Sequence, residues 1–358
     1  MEENMKPWED KIRRVVPYVP GEQPKGQGII KLNTNENPYP PAPGVRKALE
    51  ELRTEELRKY PDPTVKTLAG CLADYYKVEP DQVFVGVGSD DVLAMAFLAF
   101  FNSEKPILFP DISYSFYKVW AELFGIPYET APLDEAFLIR PEDYYRENGG
   151  VIFPNPNAPT GLLMDLKQVE DVLAHNQDVI VIVDEAYIDF GGKSALELLE
   201  KYENLLVVQT FSKARSMAGM RIGFAVGSRE LIRILQDVKY SFNSYTMNLP
   251  SLVLGVEAVR DDAYFRETIG RIVDTREKAK ERLKRLGFSF PDSMSNFIFA
   301  SHEKASASEL FEALKGQGIY VRYFNQPRLE NYLRITIGTD EEMEKLFSFL
   351  ECYLKDMA

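Results

Sequence analysis

Groups able to do chemistry recur in this sequence at points where a strand-like run has just ended. The run Val179–Val183 is followed by Asp184 and Tyr187, and Leu205–Val208 by Thr210, Ser212, Lys213 and Arg221. Val83–Val85 leads into Gly88, Ser89 and Asp90, Ile107–Phe109 into Asp111, Ser113 and Tyr114, and Val151–Phe153 into PNPNAPTG, Pro154 to Gly161. In open α/β sheets ligands gather at the carboxyl ends of the strands, so these groups are expected in one place. An amine nucleophile, a buried acid, an aromatic face, and hydroxyls with an arginine at a helix N-terminus suit a flat, phosphorylated aldehyde with a basic ring nitrogen. Pyridoxal 5′-phosphate meets that description: the lysine condenses with the aldehyde, the acid keeps the ring nitrogen protonated, and the remaining groups hold the phosphate.

A nucleotide reading competes for the same stretch, because Gly192-Lys193-Ser194 follows Asp184-Glu185. A phosphate loop requires a glycine five positions before the glycine of Gly-Lys-Ser, so that consecutive N–H groups wrap the phosphates. Tyr187 occupies that position. Gly191-Gly192 is then a turn ahead of a helix starting at Ser194. A dinucleotide fingerprint over Gly86–Asp91 fails similarly, with Asp91 where the third glycine belongs.

The elements that position these residues follow from length and pattern. A chain of 358 residues exceeds one comfortable core, which favours a large domain with a smaller satellite. Apolar runs alternating with helical patterns predict a mostly parallel sheet covered on both faces. A helical region follows from about Leu249 to Leu286. Phe297–Ala300, Tyr320–Tyr323 and Leu333–Ile337 then read as strands of a separate sheet, with a helix around Ala305–Lys315, and Thr339–Glu342 as a capping box for a last helix. The expected class is α/β, with a large domain over 45–245 and a smaller α+β domain formed by both termini, 1–44 and 246–358, including an N-terminal arm and the long connecting helix.

Composition removes several function classes. A net charge of −13 argues against a nucleic-acid partner. Cys71 and Cys352 are the two cysteines and His175 and His302 the two histidines, so neither a disulfide framework, a His-based metal site nor a Ser-His-Asp triad is expected. The charged N-terminus has no signal-like apolar core, and no apolar run reaches the ~20 residues of a membrane span. A reducing cytoplasm is the default location.

The combination of NPNAPTG, DEAY and TFSKxxxxAGxRIG resembles the fold-type I, class II aminotransferases. KLNTNENP (Lys31–Pro38), RKYPDP (Arg58–Pro63), GVGSDD and VRYFNQPRLENYLRITIGT (Val321–Thr339) look like the histidinol-phosphate aminotransferase branch, so the resemblance runs from Leu32 to Gly338. It implies a homodimer using pyridoxal 5′-phosphate and exchanging an amino group between histidinol phosphate and 2-oxoglutarate. Alternatives inside the fold are an aromatic-amino-acid aminotransferase and a phospho-amino-acid decarboxylase. A transcription regulator of this fold would need a basic winged-helix module ahead of Leu32, where only about 30 residues stand.

The resemblance makes Lys213 the residue that binds the cofactor aldehyde and moves the proton, Asp184 the partner of the ring nitrogen, and Tyr187 the donor to the ring 3′-oxygen. Arg221, with Thr210, Ser212 and the Ser89-Asp90 backbone, would hold the phosphate. Tyr114 would stack on the ring, with Phe116 and Tyr117 as competitors. Tyr60 would reach the phosphate in the partner subunit. Arg334 would bind the substrate carboxylate, Arg322 and Tyr18 would help at its phosphate end, and Asn33 and Glu36 would line the entrance. NPNAPTG departs from the commoner NPNNPTG, with Ala158 at the second asparagine position and Asn157 able to make the contact from one residue earlier.

Overall fold

The computed structural model describes Lys6 and residues 8–355. Seven strands form the main sheet, in the order Val83–Gly86, Gly223–Gly227, Leu205–Thr210, Val181–Asp184, Val151–Pro154, Ile107–Pro110, Tyr128–Ala131. All neighbours are parallel except Gly223–Gly227, which is antiparallel to both of its neighbours. The five apolar runs named above and a sixth, Ile222–Val226, mark strands that are buried along their whole length, as expected of strands covered on both faces. The seventh, Tyr128–Ala131, lies at the sheet edge with two exposed residues, and no apolar run announces it.

Several boundaries differ from the sequence expectation for local reasons. Val179 belongs to a turn, its N–H donating to the Asn176 carbonyl, so the strand begins at Val181 and takes in Asp184. The long helical region is two helices, Leu249–Arg260 and Asp262–Arg285, divided at Asp261, whose side chain accepts from the Tyr264 N–H. Tyr320–Tyr323 is split at Val321: Ile319–Tyr320 pairs in parallel with Ile30–Lys31, while Arg322–Tyr323 joins a four-stranded antiparallel sheet. The order in that sheet is Arg322–Tyr323, Leu333–Thr336, Phe297–His302, Phe288–Ser289.

Both sheets are packed by helices, and the smaller one shares a core with Ala307–Gly316, Asp340–Lys355 and part of Asp262–Arg285. The expected capping box is present, with Thr339 N–H on Glu342 Oε2 at 2.8 Å and Glu342 N–H on Thr339 Oγ1 at 3.2 Å. Arg276, 2% exposed, ties the two halves: its Nη1 donates to the Phe190 and Ser295 carbonyls at 2.8 and 3.0 Å.

One close approach fixes the geometry at the carboxyl end of the main sheet. A Cβ on Gly223 would lie 2.2 Å from Gly88 C and Ser89 N, so this strand start presses on the entry to helix Ser89–Phe100. Gly70, inside helix Lys66–Tyr76, has nothing within 4 Å of its hypothetical Cβ. Gly223→Ala is therefore expected to lower stability by about 1–3 kcal/mol through overpacking against backbone, whereas Gly70→Ala should raise it by roughly 0.5–1 kcal/mol. Urea unfolding of the two variants checks this; equal midpoints would contradict the packing described.

Candidate active site

Asp184 ends its strand with 5% exposure. Its Oδ2 accepts from the Tyr117 hydroxyl at 2.8 Å and its Oδ1 from the Ala186 N–H at 3.2 Å. Burial pushes its carboxyl up to about 6 against the pull of those two hydrogen bonds. Among the described residues no lysine, arginine or histidine pairs with it. Tyr117, in helix Phe116–Phe124, is fully buried and packs against Phe97 and Trp120. Of the three aromatics that compete for a ring stack, it is thus committed to Asp184. Phe116 stacks on Tyr18 with centroids 4.3 Å apart, and Tyr114 donates to Asp90 Oδ1 at 2.7 Å.

The neighbouring acid has a different task. Glu185 accepts from Ser194 Oγ and the Ala195 N–H, both at 2.6 Å, and from Gln209 Nε2 at 2.9 Å. Burial raises it to about 7. The Gly-Lys-Ser stretch is therefore a turn clamped onto Glu185, and the helix expected at Ser194 is a short 3-10 turn, Ala195–Leu198, with Ser194 as its cap.

The Ser89 helix supplies an anion-receiving corner. Gly88 has φ 86°, and a Cβ there would stand 2.5 Å from Arg221 Nη2, so the guanidinium lies across the helix entry. Arg221 reaches Ser212 Oγ at 3.5 Å and Asp90 Oδ2 at 3.3 Å, and Thr210 Oγ1 lies 3.0 Å from Ser212 Oγ. Free N–H groups of a first helical turn, a guanidinium and two hydroxyls together match a phosphate. The Asp90 side chain holds Arg221 and Tyr114 in place, a role the sequence did not indicate.

A third group of contacts comes from the N-terminal segment. Lys213 Nζ donates to the Thr34 carbonyl at 2.9 Å and lies 5.8 Å from the Tyr187 ring centroid. Arg334 Nη2 donates to the Asn33 carbonyl at 2.9 Å, and Asn35 Nδ2 to the Tyr187 hydroxyl at 2.9 Å. Three consecutive residues thus touch the lysine, the tyrosine and the arginine. Glu36 accepts from Thr34 Oγ1 at 2.8 Å and pairs with Lys31; burial raises its pKa, but hydrogen bonds from Lys31 and Thr34 and the charges of Lys31 and Lys213 outweigh it and hold the carboxyl below its ordinary value.

Arg334 and Arg322 are directly opposite each other in the antiparallel pair, and neither forms an ion pair among the described residues. Arg334 Nε is buried with no partner, and burial depresses its pKa. Like charges facing across two strands are unfavourable unless an anion lies between them. Asn157, 1% exposed, donates to the Ile112 carbonyl at 3.0 Å and leaves its Oδ1 buried and unpaired, whereas Ala158 presents no polar group. Tyr60 stands apart: it is 82% exposed, and its ring packs on Tyr245.

Sequence reasoning missed Tyr117 as the partner of Asp184, Asn35 as the partner of Tyr187, and the carbonyls of Asn33 and Thr34. The accessible signal was KLNTNENP itself, where five polar residues, Asn33 to Asn37, follow a buried Leu32.

Comparison with known proteins gives a consistent result. The family described as aminotransferase class I and II matches residues 27–350. A histidinol-phosphate aminotransferase of Lactococcus lactis subsp. cremoris (strain MG1363) is 50% identical over 349 residues, 98% of this chain and 98% of that protein. In fold, the chain is similar to the crystal structure of the histidinol-phosphate aminotransferase from Clostridium acetobutylicum, with TM-score 0.84, 23% identity, and coverage of 92% of this chain and 100% of that one. The Sinorhizobium meliloti histidinol-phosphate aminotransferase in complex with pyridoxal-5′-phosphate has TM-score 0.83 and 22% identity, covering 92% of each chain.

The isolated acid has a measurable consequence. Between its ordinary 3.8 and about 6, Asp184 holds its proton in the folded chain but not in the unfolded one. Stability therefore falls as pH rises through that window, by up to about 3 kcal/mol. In protein stripped of small molecules, Asp184→Asn should be more resistant to urea than the parent at pH 7, with the advantage gone below pH ~4. A variant less stable at pH 7 would show that the acid already has a cationic partner.

Proposed function

Because the chain belongs to the class I and II aminotransferase family, we propose that it exchanges an amino group between L-histidinol phosphate and a 2-oxo acid, with 2-oxoglutarate and L-glutamate as the partner couple, using pyridoxal 5′-phosphate. The observation that carries the substrate reading is the Arg322–Arg334 pair, two facing cations without acidic partners among the described residues, with Arg334 bonded to Asn33, next to the Thr34 that Lys213 bonds. One such site accepts a phosphate or a carboxylate in turn, as the two half-reactions require.

The residues fit the cofactor. Asp184 lacks a cation that a ring nitrogen would provide, Asn157 Oδ1 lacks a donor, and Arg221 with Ser212, Thr210 and the Ser89-Asp90 backbone forms a phosphate cradle. When bound, pyridoxal 5′-phosphate supplies an aldehyde carbon for the amino group and an electron-withdrawing ring. Asp184 would then keep a proton at the ring nitrogen, and Tyr114 would lie against the ring face. Lys213 Nζ, released from the Thr34 carbonyl, would take the proton from the substrate Cα and deliver it to the carbon that had carried the aldehyde, the shift that an amino-group exchange requires. Arg334, Arg322 and Tyr18 orient the anionic ends so that the Cα–H bond faces that amine.

The same reading assembles two copies with shared sites, Tyr60 of each reaching the phosphate in the other. Leu57, Tyr60, Phe242 and Tyr245 are large apolar side chains left exposed, the kind of surface a second copy covers. It also divides each chain into a cofactor-binding part, 45–245, and a smaller part from 1–44 and 246–358, and places the enzyme in the cytoplasm with small molecules rather than nucleic acid or membrane as its partners.

Turnover by Lys213→Ala should fall by at least ~10²–10⁴, the range expected for loss of a general acid–base group. Parental kcat/KM should be higher for histidinol phosphate than for phenylalanine or tyrosine, and Arg334→Ala should erode that lead; a preference for the aromatic acids makes the enzyme an aromatic aminotransferase, and release of CO2 a decarboxylase. Mixing inactive Lys213→Ala and Tyr60→Ala proteins should restore activity, since half of the sites in a mixed dimer then hold both native residues. No restoration after demonstrated subunit exchange would refute shared sites.

A further inference from the structure

Asn35 is 1% exposed and has a left-handed backbone, φ 56°, which asparagine adopts more readily than other non-glycine residues. All four of its polar groups are engaged. Its N–H donates to Thr336 Oγ1 at 3.1 Å, its carbonyl accepts from Asn296 Nδ2 at 2.9 Å, its Oδ1 accepts from Thr336 Oγ1 at 3.0 Å, and its Nδ2 donates to the Tyr187 hydroxyl at 2.9 Å. Because the Thr336 hydroxyl accepts from the backbone N–H, its single proton goes to Oδ1. That fixes which way the side-chain amide faces and leaves Nδ2 on Tyr187.

The Tyr187 hydroxyl is in turn constrained. Its ring is held edge-on to Phe297 with centroids 5.1 Å apart, its oxygen accepts from Asn35, and among the described residues its own proton has no acceptor. The O–H is left to donate to whatever enters beside Lys213. A donor on the phenol oxygen also polarises the O–H and strengthens it as a donor in turn.

We propose that Asn35 is a positioning residue: by occupying the accepting side of the Tyr187 hydroxyl it fixes Tyr187 as a hydrogen-bond donor to an anionic oxygen of the bound cofactor. The inference rests on the pyridoxal-phosphate reading above. It gives the buried Asn35–Thr336–Asn296 cluster a task in the site, and it links Tyr187 to the Leu333–Thr336 strand that carries Arg334. Thr336 is 2% exposed and Asn296 fully buried, so the cluster is rigidly packed.

The test is the pH dependence of the visible absorbance of cofactor-loaded protein, together with the dissociation constant for pyridoxal 5′-phosphate. A donor to an anionic oxygen favours the deprotonated form, so losing it moves the absorbance midpoint to higher pH. Asn35→Asp keeps the acceptor for Thr336 but presents a carboxylate to Tyr187, which turns the hydroxyl proton away from the site. Its midpoint should rise by about one pH unit and its dissociation constant about tenfold, the scale of one charge-assisted hydrogen bond. Tyr187→Phe should match it, and the double variant should shift no further, because both remove the same interaction. Thr336→Ser should retain parental values, and Thr336→Val should shift in the direction of Asn35→Asp. Should Asn35→Asp fail to fold, Asn35→Gly, which tolerates the left-handed backbone, and Thr336→Val carry the comparison. A parental midpoint and affinity in the Asn35 variants, or additive shifts in the double variant, overturn the proposal. A parent protein that takes up no pyridoxal 5′-phosphate overturns the functional reading itself.

Discussion

A carboxylate buried without a cation is the constraint on which the rest of this structure turns. Asp184 is held at the end of a fully buried strand by one phenol and one backbone N–H, while desolvation works against its charge. Two hydrogen bonds leave part of a carboxylate's accepting capacity unused. The surrounding structure supports that arrangement: Tyr117 is fully buried among Phe97, Phe109 and Trp120, and Glu185 accepts from Ser194 and Ala195 in the turn that follows. Under the reading proposed above, a protonated ring nitrogen would be the cation that this acid is built to meet.

The N-terminal segment is the second organising element, because it connects groups that the sheets alone do not bring into register. Asn33 and Thr34 act through their carbonyls, on Arg334 and Lys213, and Asn35 through its side chain, on Tyr187. The short parallel pairing of Ile30–Lys31 with Ile319–Tyr320 sets where this segment enters, and the Leu32 carbonyl accepts from the Thr336 N–H at 3.0 Å. Arg276 does comparable work on the far side by bonding carbonyls from both halves of the chain. Side chains from two sheets are thereby tied to one segment, two of them through backbone carbonyls, which depend less on residue type than side-chain pairs do, and one through the Asn35 side chain.

The strands that position the candidate site were legible in the sequence because a parallel sheet covered on both faces leaves long apolar runs, and the reactive side chains to look at were legible because ligands collect at the strand ends. Lys213, Asp184, Arg221 and Arg334 could be singled out by motif and order. The edge strand Tyr128–Ala131 was not legible, since a half-exposed edge carries no continuous apolar signal. Tyr117 and Asn35 escaped for another reason: their partners lie 67 and 152 residues away in sequence, so only the folded chain shows the pairing. The split at Val321 was likewise invisible, because adjacent pairs of residues there pair with different sheets.

Every role proposed for the site requires Lys213 to be the amine that captures the cofactor. Loading the protein with pyridoxal 5′-phosphate, reducing it with borohydride, and locating the modified residue by peptide mass mapping addresses this directly. The expected result is one stoichiometric addition, on the peptide containing Lys213, that disappears when Lys213 is replaced. A modification spread over surface lysines, or none at Lys213, would contradict it.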